Sequence, residues 1–120
     1  MASQVSTGLV VEEKKLLMVF DNETETWSAP TTPREKGELS ADTAERAVEE
    51  LTGAASETVR YRKRMKTTVK QNEENVKVQS FEVEIEGEPE NGEWIHVSDL
   101  ESRKLTPHLE KIKDTIIDKF

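Results

Sequence analysis

The residues of this chain best suited to chemistry are carboxylates and one arginine on a short predicted helix. Arg46 and Glu50 lie four residues apart in the segment 40–53, and Glu38 precedes it. Residues three or four apart share a face of a helix, and carboxylate oxygens are the ligands that hard cations such as Mg²⁺ bind. The segment therefore predicts a place where an arginine and carboxylates meet.

The helix is predicted from its ends and its apolar positions. Ser40 is a favoured N-cap residue and Gly53 is placed to end the helix, which should run from about Ala41 to Thr52. Polar side chains lie largely on one side of it. The apolar stripe that we expect to face the core consists of Ala44, Val48 and Leu51.

Other segments have the alternation or periodicity of regular structure. Two β-rich runs, residues 4–11 and 15–20, come first, and the second is almost wholly apolar, as in a strand covered on both faces. Residues 27–36 contain two prolines and are predicted to form an irregular loop. A short strand is expected at 93–97, and a last helix with Thr106 as its N-cap. The apolar face that should dock this helix consists of Leu109, Ile112, Ile116 and Phe120.

An antiparallel hairpin is predicted from residues 59–70 and 76–85. Both faces of the hairpin agree on one register, and a one-residue slip would scramble it. The predicted pairs are Arg60–Glu86, Arg62–Glu84, Arg64–Glu82, Tyr61–Ile85 and Met65–Phe81. A cross-strand charge ladder is therefore preferred to the alternative, in which the basic run 60–70 binds nucleic acid or phosphate.

Composition restricts the class of protein. The 120 residues include 17 basic and 25 acidic side chains, a net charge of −8, and no cysteine. Such an acidic chain is a poor partner for nucleic acid or anionic lipid, and its length fits one domain, 1–120. The first residues lack the apolar stretch of a secretory signal, and the longest apolar run is too short to span a bilayer. We expect a cytoplasmic protein without membrane association or disulfides.

Taken together, residues 27–54 resemble a Nudix box. The Nudix pattern is G-x5-E-x7-R-E-U-x-E-E-x-G-U, where U is a bulky aliphatic residue. The matching positions are Glu38, Arg46, Val48, Glu50 and Gly53. The departures from the pattern include Thr32, which stands where the first glycine belongs, and Ala47 and Leu51, which stand where two of three clustered glutamates belong.

The resemblance continues outside the box. Residues 27–30, WSAP, are similar to the family's W-x-L-P lead-in, and residues 93–100 resemble its late strand. The order of elements is similar to that of the Nudix α/β/α sandwich. The resemblance implies an α/β fold with a mixed β-sheet and two main helices. The alternative is a small α+β domain whose ordinary helix happens to match part of the box.

The resemblance also implies a chemistry and roles for residues. Nudix enzymes typically hydrolyse a nucleoside diphosphate linked to another group, using Mg²⁺ or Mn²⁺ held by glutamates. Glu50 would be the metal ligand, Arg46 the residue that orients a glutamate, and Glu38 a support in the loop. Ala47 and Leu51 can neither bind metal nor accept a proton. Because loss of a general base alone commonly costs about 10²–10⁴ in rate, we expect catalysis to be weak or lost.

A second class of function and further carboxylates stay open. The alternative function is a noncatalytic ligand-sensing or protein-interaction module on the same fold. A nucleotide or another diphosphate-containing small molecule is the expected ligand. Glu45 and Glu49 flank the expected metal face but are expected to be solvated surface groups. The candidate carboxylates outside the box are Glu82, Glu84, Glu88, Glu90 and Glu93.

Aromatic and imidazole side chains carry weaker indications. Trp27 and Trp94 could stack on a base, although positions in the core or at its rim are more typical of aromatic residues at strand ends. His96 and His108 are far apart in the sequence, and a zinc site formed by these two is not expected.

Overall fold

The computed structural model describes residues 3–61, 66–71 and 73–120. Nine strands, two α-helices and a 3-10 helix lie in these ranges. They are β1 Ser3–Leu9, β2 Val11–Glu12, β3 Lys15–Asp21, β4 Thr26–Ser28, β5 Thr31–Pro33, α1 Ser40–Thr52, β6 Ala55–Tyr61, β7 Thr67–Gln71, β8 Glu74–Glu86, β9 Glu93–His96, the 3-10 helix Val97–Ser102 and α2 Pro107–Lys119. None of the described helices has the length and apolar composition needed to cross a membrane.

The strands form two sheets. The larger has the order β5-β1-β8-β6, and β7 also pairs with β8. Within it β1 runs parallel to β8, with Val5 opposite Val78, whereas the other pairs are antiparallel. The smaller sheet is antiparallel, with the order β2-β3-β4 and with β9 on β3. The fold is therefore α/β with a mixed sheet, as the sequence predicts.

Strand β3 is shared by two hydrophobic clusters. Leu16 and Met18 belong to one cluster and Leu17 to the other, and all three are fully buried. The helix residues in these clusters are Leu109, Ile112 and Ile116 of α2 in the first and Ala44 and Val48 of α1 in the second. Because successive side chains of a strand point to opposite faces, one helix lies on each side. This α/β/α layering confirms that β3 is covered on both faces.

Helix α1 ends as predicted but begins and faces the core differently. Gly53 adopts the left-handed conformation at its C-terminus, with φ of 76°. The N-cap is Leu39 rather than Ser40, and the Leu39 carbonyl accepts a hydrogen bond from the Thr43 amide at 3.0 Å. The buried residues of the helix are Thr43, Ala44, Ala47, Val48 and Thr52.

Leu51 does not lie on the core face, so the predicted apolar stripe is wrong at this position. Its side chain is 40% exposed. The close approach of α1 to β1 explains the choice. A Cβ at Gly8 would meet the Val48 side chain and lie 3.1 Å from the Ala44 carbonyl. Ala44 and Val48 occupy this contact and Leu51 does not, and periodicity alone does not show how closely the helix approaches the strand.

Part of the predicted loop at residues 27–36 forms short strands. β5 pairs antiparallel with β1, with Thr31 opposite Thr7. Threonine is favoured in strands because it is β-branched, and Pro33 is tolerated because β5 lies at the edge of the sheet. The irregular loop is therefore shorter than predicted.

The hairpin is confirmed as antiparallel, but its predicted register is wrong. In β6, Arg60 lies opposite Glu82. In β7, Thr67 lies opposite Val78, so the two arms do not share one centre of symmetry. The described register replaces the predicted pairs Arg60–Glu86 and Tyr61–Ile85. The other residues predicted to pair from this arm, which lie outside the described ranges, are Arg62, Arg64 and Met65.

Candidate functional site

Arg46, in the middle of α1, contacts the other two predicted site residues, Glu38 before the helix and Glu50 near its end. Its Nε and Nη2 donate to the two carboxylate oxygens of Glu38 at 2.9 and 3.0 Å. Nη2 also donates to the Pro33 carbonyl at 2.8 Å. Glu50 is more weakly attached, with its Oε2 3.4 Å from Nη1. The arginine therefore fastens the loop before the helix to the helix itself.

Glu38 is held by more than its arginine. Its Oε1 also accepts from the Thr43 hydroxyl at 2.7 Å and from the Glu35 amide at 3.1 Å. The hydrogen bonds from Arg46, Thr43 and Glu35 lower the pKa of the Glu38 carboxyl from 4.5 to about 2. The carboxylate in turn raises the pKa of Arg46. A carboxylate that is only 16% exposed and already accepts these bonds is suited to position the loop rather than to take a proton.

The metal-ligand positions of the box are mostly apolar here. Ala47 is fully buried. Of the three clustered glutamate positions of the pattern, only position 50 has a carboxylate, and the side chain of Glu50 is 58% exposed. Divalent Mg²⁺ or Mn²⁺ needs several oxygen ligands. Within the described ranges, no group of three or more Asp, Glu or His side chains is placed to hold a metal ion. The donor set at the box does not fit the expected cation.

A cleft of about 1300 Å³ lies beside the box helix. Leu51 is on its wall, together with Trp27, Thr31 and His108, whereas Glu50 is not among the lining residues. The side of α1 that faces the cleft therefore presents a leucine where the family places a glutamate. The cleft has the mixed apolar and polar lining that is typical of a site for a small organic molecule.

The other candidate carboxylates are mostly turned away from the cleft. The Ser56 hydroxyl on β6 lies 2.9 Å from Glu45 Oε2 and 3.0 Å from Glu49 Oε1. The Glu90 side chain lies beside Gly53. Among the five described carboxylates considered outside the box, it is Glu93 that lines the cleft.

Hydroxyl groups and an imidazole form a buried network on the cleft wall. His108 is 5% exposed, and its Nε2 lies 3.3 Å from both the Thr7 and the Ser80 hydroxyls. Thr7 Oγ1 lies 2.7 Å from Thr31 Oγ1, which donates to the Ala29 carbonyl at 2.9 Å. Burial lowers the pKa of His108 from 6.5 to about 4. The ring is therefore neutral near pH 7.

Sequence reasoning missed this network. Thr7 and His108 are separated by most of the chain, so no spacing rule connects them. Two indications were available: Thr31 directly precedes Thr32, which stands where the Nudix pattern has its first glycine, and His108 lies beside the buried Leu109 in the first turn of an amphipathic helix. Each is ordinary alone, and only the fold makes them neighbours.

The two tryptophans have different surroundings. Trp27 lines the cleft, with its ring centroid 5.1 Å from that of Phe20 and the two planes tilted by 58°. The Arg103 guanidinium lies 5.3 Å from the Trp27 centroid. Trp94 instead packs against the hydrophobic cluster of α1. One of the two aromatic candidates is therefore available to a ligand in the cleft.

The chain is similar to known proteins in its structure, whereas comparisons of its sequence find no match. No protein-family model and no curated protein sequence matches the chain. A NUDIX hydrolase from Nitrosomonas europaea matches with a TM-score of 0.81 and 14% identity, covering 99% of this chain and 91% of that chain.

Two further solved structures extend the likeness. A MutT NUDIX hydrolase from Burkholderia pseudomallei has a TM-score of 0.80 and 18% identity, covering 95% of this chain and 97% of that chain. An Ap4A hydrolase from C. elegans has a TM-score of 0.72 and 12% identity, covering 99% and 100%. At identities this low, the likeness shows the fold alone.

Proposed function

We propose, on the premise that this chain has the Nudix fold, that it is a divergent relative of the nucleoside diphosphate pyrophosphohydrolases in which catalysis is weak or lost. The state of the box helix carries the proposal. The bidentate contact between Arg46 and Glu38 is intact. A buried Ala47 and an apolar Leu51 stand where two of three clustered glutamates would be expected.

The chemistry of the proposed reaction explains why these replacements matter. Cleavage of a diphosphate linkage requires charge on the phosphate oxygens to be offset and a water to be delivered, which divalent cations do in such sites. Glu50 offers one carboxylate and its two neighbours in the pattern offer none. Arg46 and Glu38 shape the loop, and neither replaces the missing oxygens.

Activity and metal binding test the proposal directly. We would assay a panel of nucleoside diphosphate derivatives with Mg²⁺ and Mn²⁺, beside the Burkholderia pseudomallei protein as control. Rates lower by about 10²–10⁴ or more are expected, as for the loss of a general base. An NMR titration with millimolar Mg²⁺ should give no saturable change at the box. Turnover comparable to that of the control protein would contradict the proposal.

Any residual metal-dependent activity is expected to depend on Glu50. Glu50→Gln keeps the size of the side chain and removes its charge, so the remaining activity should be abolished. Glu49→Gln, on the next helix position and hydrogen-bonded to Ser56, is the matched control and should retain it. Unchanged activity in Glu50→Gln would remove Glu50 from the proposed site.

The cleft supports a second candidate, a noncatalytic ligand-sensing module. Leu51 on the cleft wall favours it, because this position adds apolar surface without a metal ligand. A nucleotide or another diphosphate-containing molecule is the first ligand class to test. Saturable binding of such a compound without turnover would favour this candidate over the first.

A further inference from the structure

We propose that the His108 wall of the cleft is a subsite for an uncharged ring with an N–H donor, and that Nδ1 of His108 accepts that hydrogen bond. The inference rests on the proposed function only in taking the cleft as a ligand site. It goes beyond it by naming the chemistry that the cleft would recognise.

The hydrogen bonds around His108 run in one direction. Thr31 uses its hydroxyl proton on the Ala29 carbonyl, which can only accept. In the contact between the two threonines, Thr7 must therefore donate to Thr31. Each hydroxyl has a single proton, so Thr7 has none left for the imidazole. The contact of Thr7 with His108 Nε2 then requires a proton on Nε2.

This direction fixes the tautomer of the ring. A neutral imidazole has one protonated and one unprotonated nitrogen. With the proton on Nε2, which the Thr7 hydroxyl oxygen accepts, Nδ1 is the unprotonated nitrogen, and the Ser80 hydroxyl lies at the same 3.3 Å from Nε2. Any hydrogen bond from the ring to a ligand must then be accepted by Nδ1. The ligand has to supply the donor.

The rest of the cleft favours an uncharged ring over an anion. Among the described lining residues, the acidic and basic side chains besides His108 are Asp21, Glu23, Glu93 and Lys70. Carboxylates predominate, and phosphate groups would be repelled unless cations came with them. Apolar side chains form much of the remaining surface, and the Trp27–Phe20 pair offers an aromatic edge or face.

Thr106 adds a second polar group on the same wall. It lies two residues before His108 and also lines the cleft. Its Oγ1 is buried without a hydrogen-bond partner in the described part of the chain. Buried hydroxyls in proteins are normally hydrogen-bonded. This part of the wall is therefore suited to a ligand with polar atoms rather than to a purely aliphatic one.

Indole and 1-methylindole are the matched probes for the test. They have nearly the same size and apolar surface, and only indole has an N–H donor. In wild-type protein, long-range ¹H–¹⁵N spectra should show the His108 proton on Nε2. NMR titration should give indole an affinity at least tenfold higher than 1-methylindole. Protonation at Nδ1, or equal affinity for the two probes, would overturn the proposal.

Two variants test whether the preference for indole over 1-methylindole depends on His108. His108→Phe should bind the two probes equally, whereas the same change at the exposed His96, outside the cleft, should keep the preference. A preference that survives in His108→Phe would also overturn the proposal. The two wild-type measurements decide the question even if His108→Phe does not fold.

The test is separable from that of the proposed function. Efficient turnover of diphosphates would contradict weak catalysis without altering the comparison of the two indoles. Equal binding of the indoles would remove the subsite and leave the proposal of weak catalysis standing.

Discussion

The Arg46 guanidinium joins three parts of the chain. It reaches the loop through Glu38, strand β5 through the Pro33 carbonyl and the later turn of α1 through Glu50. Its shortest contacts are with the loop and the backbone rather than with positions 47 and 51. The arginine and Glu38 therefore hold the loop against the helix, a structural role that does not depend on catalysis.

Replacing this arginine by lysine should lower stability. An ammonium group cannot form the two parallel hydrogen bonds that the planar guanidinium makes with Glu38. For Arg46→Lys we expect Tm to fall by roughly 5 °C, as is typical of a moderate stability loss in a domain of this size. Glu50→Gln is the control, with a change of less than about 1 °C, because exposed ion pairs contribute little. A larger fall in the control than in Arg46→Lys would contradict this assignment.

Glu38 and His108 should make stability fall in acid over two different pH ranges. The pKa of His108 in the folded protein is about 4, below its ordinary 6.5, so its contribution is complete above pH 6.5 and is lost as pH falls through 4. The pKa of Glu38 is about 2, below 4.5, so its contribution is present above pH 4.5 and is lost as pH falls towards 2. In both ranges the unfolded chain binds more protons.

Urea denaturation at a series of pH values checks the two ranges. Wild-type protein should lose stability first between pH 6.5 and 4 and then again below pH 4.5. Glu38→Gln should flatten the lower range and leave the upper range unchanged. Parallel curves for the two proteins below pH 4.5 would show that Glu38 is not held as the contacts indicate.

The box residues could be predicted at this scale and the His108 network could not. Glu38, Arg46 and Glu50 are close in the sequence, so helical spacing brings them together. Thr7 and His108 meet only after β1, β8 and α2 have packed. Their chemistry depends on tertiary contacts that no local pattern encodes.

At the scale of elements, the rotation of α1 about its axis decides which substitutions it tolerates. Ala47 faces the core and Leu51 faces the cleft. Ala47→Glu would bury a carboxylate and should destabilise the protein by about 3 kcal/mol or more. Leu51→Glu should change stability by less than about 1 kcal/mol, because the new charge would reach solvent. Urea denaturation measures both, and equal losses would mean that the helix is rotated differently.

The contact between α1 and β1 offers a second prediction at this scale. Gly8→Ala would push a methyl group into the Val48 side chain, which should cost about 1–3 kcal/mol through overpacking. Val48→Ala removes the obstructing methyl groups. In the double variant, the added cost of Gly8→Ala should therefore be smaller than in wild type. Additive losses, measured by urea denaturation, would contradict a direct clash.

The hairpin shows why a charge pattern can place an arginine opposite a glutamate and still give the wrong partner, since Arg60 lies opposite Glu82 rather than Glu86. Arginines and glutamates that alternate along two strands satisfy several registers that differ by an even number of residues. The described arms β6 and β7 also follow different registers on β8, so no single symmetric fold describes them. Charge alternation therefore predicts the face of a strand better than its partner.

For the whole molecule, the layers were predictable and the sheet order was not. The apolar run of β3 indicated burial on both faces, and the periodicity of α2 indicated its docking face. The parallel pairing of β1 with β8 has no counterpart in local patterns, because both strands could pair with several others. The pairing of β1 with β8 depends on how α1 and the strands between them in the sequence pack.

That parallel pairing also determines when the chain can fold during synthesis. Leu9 pairs with Glu82, so β1 cannot complete its place in the sheet until β8 has been made as far as Glu82. At 5–20 residues per second, β1 waits roughly 4–15 s for this partner. Its composition, SQVSTGL, suits such a delay. A strand rich in hydroxyl and amide side chains is less prone to associate with other nascent chains than an apolar one would be.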